Sequence, residues 1–215
     1  MTTKIAEPEA PTTTPLVAST TTFVDALRAV FPHASRDKTL PILTGVNMVG
    51  DTLVATDRYT MGAARFDLDD LFTVVPEGDV WLSPEFIRLV LGRKGDPLVS
   101  LGASDESLCA TFESGVVYGV PVAGRLDVGH VADYPNVGRF VAEWQPVRAD
   151  AIAFNPAFSS RFSNLHFPAG TGGAPLVYEP GKSRTAQEGA HNQFRVTRGG
   201  IDWFVGIVVE IRVPS

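Results

Sequence analysis

The chain has 215 residues, 44% of them hydrophobic, enough for one large domain or two modest ones with a buried core. A formal charge of −6 excludes a protein that coats nucleic acid with its whole surface, since phosphate neutralisation needs concentrated Lys and Arg, though it permits a locally basic face. Cys109 is the only cysteine, which excludes an intrachain disulfide and fits a reducing cytosol, and no apolar run approaches the roughly 20 residues of a membrane helix.

The first segment, MTTKIAEPEAPTTTPL, lacks the basic-then-apolar order of a signal peptide, so a cytoplasmic location is expected. Its Thr, Pro, Ala and Glu cannot offset the entropy of ordering, and residues 1–16 read as a flexible tail. Order begins near Thr22, an N-cap candidate with Asp25 three residues on. Phe23, Leu27, Val30 and Phe31 then fall on one helix face, and Pro32 stops the helix within about a turn. The apolar period next changes: Ile42, Leu43, Val46, Met48, Leu53 and Val54 lie in short extended runs broken by Gly45 and Gly50-Asp51, which predicts strands joined by tight turns.

Ser83-Pro84-Glu85 signals a second helix, with cap and proline at its start, Ile87, Val90 and Leu91 on its buried face, and Gly92 at its end. Strands are expected at 98–101, 108–112 and 116–122, so that helix followed by strands occurs twice before about Leu126, a weak internal repeat. The pattern appears once more: an extended run to Phe154, then Asn155-Pro156-Ala157-Phe158 echoing Ser83-Pro84-Glu85-Phe86, then a third helix near 157–165. Leu176-Val177-Tyr178 is a further strand candidate, 181–192 reads as a polar loop, and 201–213 is strongly β-prone.

No catalytic constellation is visible. His33, His130, His166 and His191 are scattered, none at a metal-ligand or triad spacing, so neither enzyme activity nor a cofactor is expected. Asp67, Asp69 and Asp70 suit a solvated loop better than a cation site, and Gly170-Thr171-Gly172-Gly173 lacks the Gly-Lys-Ser/Thr ending of a phosphate loop.

RDKTLPILTGV (36–46) followed by DTLVATDRYTMGAARF (51–66) resembles the middle domain of actinobacterial β sliding clamps, where a Leu-Pro-x-Leu-x-Gly strand precedes an Ala-Thr-Asp-x-x-x-Leu turn. AIAFNPAF (151–158) is similar to the strand and helix start of that family's third domain, IDWFVGIVVEIRVPS (201–215) to its C-terminal strand and tail, and DYPNV (133–137) to its interdomain linker. The resemblance covers most of 20–215 in family order, but matches only the second domain and the latter half of the third. It implies an α+β, DNA-clamp fold with helices on one face of curved antiparallel sheets. A complete clamp-like domain over 17–126 would be followed by a linker at 127–138 and a reduced domain over 139–215.

Functionally, the resemblance implies a non-enzymatic DNA sliding clamp, or polymerase processivity factor, that holds duplex DNA and docks DNA polymerase and clamp-loader peptides. DNA contact would fall to Arg28, Arg36, Lys38, Arg88, Arg93, Lys94 and Arg161, on or beside the three helices. Without the resemblance, the same residues read as ordinary solvated helix faces. The peptide-binding groove would comprise Leu43, Thr56, Arg58, Tyr59, Thr60, Met61, Pro135, Ile207, Val208, Val209, Glu210 and Ile211. Two features depart from the family: Thr60 replaces a usual Arg, and Val209-Glu210-Ile211 replaces a Met-Pro-Val or Met-Pro-Met stretch. Leu43, Met61, Val208 and Ile211 also read as core strand positions. With fewer helices per chain, a closed homo-oligomeric ring would need about four copies, or three with an unrecognised fourth half-domain. The alternative is a ringless, clamp-derived module that binds or competes for clamp-binding peptides.

Overall fold

The computed structural model describes residues 20–68, 71–74, 79–103, 107–121, 134–135, 144–146, 155–163, 165, 175–183 and 193–209. Helix α1 (Phe23–Val30) starts where the Thr22 hydroxyl accepts the Asp25 N–H at 3.2 Å, and it buries Phe23, Ala26, Leu27, Ala29 and Val30. Pro32 ends it in a short 3-10 turn, Phe31–His33, as its spacing predicts. Strands β1 (Val46–Val49), β2 (Thr52–Thr56) and β3 (Thr60–Arg65) form a meander. Gly50 turns the first hairpin at φ +56°, a conformation glycine enters without a Cβ penalty.

One local expectation is corrected. Ile42 and Leu43 are not extended but sit in a 3-10 turn, Pro41–Thr44. Pro41 has no N–H for a strand ladder, the Leu43 N–H bonds the Leu40 carbonyl at 3.0 Å, and the Thr44 hydroxyl donates to the Pro41 carbonyl at 2.7 Å.

Strands β4 (Phe72–Val74) and β5 (Val80–Leu82) lead to α2 (Pro84–Gly92), capped by the Ser83 hydroxyl accepting from the Phe86 N–H at 3.2 Å. Strands β6 (Leu98–Ala103), β7 (Ser107–Phe112) and β8 (Val117–Pro121) follow, then β9 (Trp144–Pro146) and α3 (Pro156–Ser163). The third helix repeats the second's opening, with Asn155 Oδ1 accepting the Ala157 N–H at 3.0 Å. Strands β10 (Leu176–Ser183), β11 (Gln193–Arg198) and β12 (Ile201–Val209) complete the described chain. Gly181 to Ser183, expected to open a polar loop, instead continue β10, and residues 184–192 lie outside the described residues. The predicted tail, the run to Phe154, the Gly170–Gly173 stretch, Asp69, Asp70 and the domain boundaries at 126 and 139 lie outside the described residues.

The order β5-β1-β2-β3-β12-β11-β10-β9 makes one eight-stranded sheet, and β4-β6-β7-β8 makes a second of four strands. Only the β4/β6 pairing is parallel among the described ladders. The seam is β3 against β12, in the register Ala64↔Phe204, Gly62↔Gly206 and Thr60↔Val208, which joins strands about 140 residues apart in sequence. Because side chains alternate across a strand, the seam feeds two cores. Ala64, Phe204 and Val208 face the main core with Leu27, Phe66, Phe86, Phe112, Phe162 and Phe194. Met61, Ala63, Val205 and Ile207 face a smaller cluster with Leu43, Val54 and Tyr134.

Candidate functional site

The turn between β2 and β3 is held by one carboxylate. Asp57 Oδ1 accepts the N–H of Tyr59 at 3.0 Å, the N–H of Thr60 at 2.8 Å and the Thr60 hydroxyl at 3.2 Å. The Thr56 hydroxyl donates to the Thr60 carbonyl at 2.8 Å and accepts the Arg58 N–H at 3.1 Å, while Arg58 adopts φ +79°. Strand β12 runs alongside, its Val209 N–H bonding the Tyr59 carbonyl at 2.9 Å.

Between this turn and β12 lies a cavity of about 200 Å³, walled by Thr56, Arg58, Tyr59 and Thr60 from the turn. Met61 and Ile207, partners in the β3/β12 register, belong to the smaller core cluster beneath it, and Val209 lies one step along the same strand face. Pro135 completes the wall. It is anchored by its neighbour Tyr134, whose buried hydroxyl donates to the Val54 carbonyl at 3.2 Å; burial pushes that phenol above its ordinary pKa. Tyr59 is 54% exposed at the rim, an unusual position for a large aromatic ring.

Eight sequence-predicted groove residues therefore meet around one cavity: Thr56, Arg58, Tyr59, Thr60, Met61, Pro135, Ile207 and Val209. Leu43 does not line it but packs in the smaller cluster, and Val208 points to the main core with no exposed surface. Glu210 and Ile211 lie outside the described residues. Gln193 lines the cavity without having been predicted; it opens β11 opposite Val209, and its side-chain Oε1 is buried without a hydrogen-bond partner. Its signal was the period-two pair Phe194 and Val196, which marks β11 as a strand and brings its first residue beside β12.

Six of the predicted basic residues gather at the two ends of the α1/α2 pair. Arg36, Lys38 and Arg88 line a concavity of about 720 Å³ between the chain after α1 and the start of α2. Arg28, Arg93 and Lys94 line another of about 510 Å³, between α1 and the end of α2. Their freedom differs. Arg88 approaches Glu85 only at 4.0 Å, with both side chains mostly exposed, whereas Arg28 pairs with Asp25 at 2.7 Å. Arg93 contacts Asp96, donates to the Tyr118 hydroxyl at 3.0 Å and stacks over Phe112 and Tyr118 at 4.8 and 4.9 Å.

Arg161 is placed differently from the other six. Its guanidinium is turned to the groove turn, 2.7 Å from Asp57 Oδ2 and hydrogen-bonded to the Thr60 hydroxyl. The reason is local: Asp57 is largely buried, and a buried carboxylate needs a cation.

Among the described residues no three His, Cys, Asp or Glu side chains stand together as a metal site, and no helix is long and apolar enough to cross a membrane. His33 is fully buried with both ring nitrogens unpaired. Burial, with Arg161 nearby and against the opposing pull of Asp57, lowers its pKa to about 3.

Neither a protein-family profile nor a curated protein matches the sequence. Solved structures do. The β subunit of DNA polymerase III from Thermotoga maritima superposes with a TM-score of 0.58 over 96% of this chain and 69% of that one, at 15% identity. The DNA polymerase sliding clamp from Bacillus subtilis gives 0.55 over 89% of this chain and 62% of that one, at 12% identity. The fold is that of the bacterial sliding clamp. A third sliding clamp, from Pseudomonas aeruginosa and bound to griselimycin, agrees at 0.53 over 90% and 63%, with 11% identity. The chain thus spans under two thirds of the Bacillus and Pseudomonas clamps and slightly more of the Thermotoga one.

Proposed function

We propose that the chain is a sliding-clamp-type processivity factor. It engages duplex DNA through the basic ends of α1 and α2, and tethers replication proteins through the groove beside β12. The observation that carries this reading is the apolar cavity assembled from the Thr56–Met61 turn, β12 and Pro135, open at an exposed Tyr59. Such a cavity suits an extended peptide that inserts one or two large apolar side chains and leaves its polar backbone at the rim. Arg36, Lys38 and Arg88 offer phosphate contacts without base readout, which permits sliding. Neither role asks for a catalytic residue or a cofactor.

A labelled peptide from the tail of the replicative polymerase of the same source tests the groove by fluorescence anisotropy. Met61→Asp places a charge on a buried apolar floor and should weaken binding by about two orders of magnitude, with circular dichroism and solution mass checking that fold and assembly survive it. Unchanged affinity would remove the peptide from this cavity.

A second reading, a ringless module that captures clamp-binding peptides, is favoured by two internal ion pairs that tie down predicted DNA contacts. Arg93 is committed to an internal ion pair with Asp96, and Arg161 to one with Asp57. Oligomeric state separates the two readings.

A further inference from the structure

We propose that Arg161 of α3 is a positioning residue for the peptide groove: it fixes the Thr56–Met61 turn from a helix a hundred residues away. The proposal rests on the groove reading above. Asp57 is the hub of the turn. Its Oδ1 takes three donors from the turn itself, and its Oδ2 takes Nη1 of Arg161 at 2.7 Å. The same nitrogen reaches the Thr60 hydroxyl. Phe158, one helical turn before Arg161, lies 5.2 Å under the guanidinium and stacks on Tyr59 with ring centres 6.1 Å apart and planes 19° apart. One face of α3 therefore holds both the carboxylate and the aromatic rim of the cavity.

The turn needs such a hold. Arg58 occupies the left-handed region at φ +79°, which a long side chain seldom adopts unaided. The Asp57 side chain is 11% exposed, and without Arg161 its charge would have no cation within reach among the described pairs. The carboxylate would then move toward water and draw the Tyr59 and Thr60 amides with it, displacing the wall of the cavity.

The experiment compares wild type, Arg161→Ala, Arg161→Lys, Met61→Asp and Arg65→Ala by peptide anisotropy and by amide hydrogen exchange at Tyr59 and Thr60. Arg65→Ala removes an ion pair of similar closeness, with Asp51, at the far end of β3, and controls for general loss of stability. Arg161→Ala should weaken the polymerase-tail peptide about tenfold and speed exchange of the two amides by at least about tenfold, while Arg65→Ala changes either by no more than about twofold. Arg161→Lys, which keeps a cation for Asp57 but loses the planar stack on Phe158, should recover part of both losses. Peptide affinity unchanged in Arg161→Ala but abolished in Met61→Asp would overturn the positioning role and leave the groove reading standing. Peptide affinity unchanged in Met61→Asp would instead overturn the groove reading. Amide exchange unaffected by Arg161→Ala would overturn positioning independently of any peptide.

Discussion

Gly206 and Gly62 are neighbours across the β3/β12 seam, and each leaves room for a ring. A Cβ at Gly206 would lie 2.2 Å from Phe162 Cε1, and one at Gly62 would lie 2.5 Å from His33 Cδ2. Gly206→Ala should therefore lower stability by about 1–3 kcal/mol in urea denaturation, and Phe162→Leu in the same chain should recover part of the loss because the two sites share one space. His33, which fills the neighbouring space, makes stability depend on pH. It stays neutral in the folded protein down to about pH 3, while the unfolded chain binds a proton near 6.5. Its contribution is whole above pH 6.5 and falls below it by up to about 1.4 kcal/mol per pH unit, so that roughly 2 kcal/mol is gone by pH 5. Denaturation midpoints should trace this decline, and His33→Leu should flatten it whatever its effect on absolute stability.

Helices were the most legible elements, because each carries a cap, a proline and an apolar stripe within a few residues. Ser83-Pro84 and Thr22 start α2 and α1 where the sequence places them, and Asn155-Pro156 starts α3. Ser83→Ala should cost about 1 kcal/mol in thermal or urea unfolding through the loss of its bond to the Phe86 N–H. The errors lie where long-range pairing decides. Leu40 to Leu43 looks like a strand because it is apolar, yet Pro41 and the smaller core bend it into a 3-10 turn. Strand β11 carries a period-two signal in Phe194 and Val196, but its place beside β12 depends on pairing, and Gln193 was missed with it. Residues brought to the cavity by one turn were readable together, whereas Val208 was not separable from Ile207 and Val209 until the strand register fixed which face each takes. The pairing of Arg161 was not legible for a similar reason: a basic residue on a helix reads as solvated until a buried carboxylate from another element is known to face it.

For the whole molecule, the proposed clamp function requires a chain of net charge −6 to hold DNA. Affinity spread over the surface is excluded by that balance, so under this proposal retention would combine a local basic face with encirclement. Arg36, Lys38 and Arg88 supply such a face around one concavity. Each phosphate contact contributes about 0.9 to the slope of log K against log salt, so replacing all three by Ala should lower that slope by up to about 3 in duplex-binding titrations, without unfolding the protein. Encirclement needs closure. If the chain closes into a homo-oligomeric ring, as the clamp reading proposes, light scattering over a concentration series should give a discrete trimer or tetramer. Under the ring reading, circular duplex should retain the protein at salt concentrations that strip it from open linear duplex, since a closed ring leaves only by an end or by opening. Equal loss from circular and linear DNA, together with a monomeric mass, would make the chain a peptide-binding module that keeps the clamp fold without the ring.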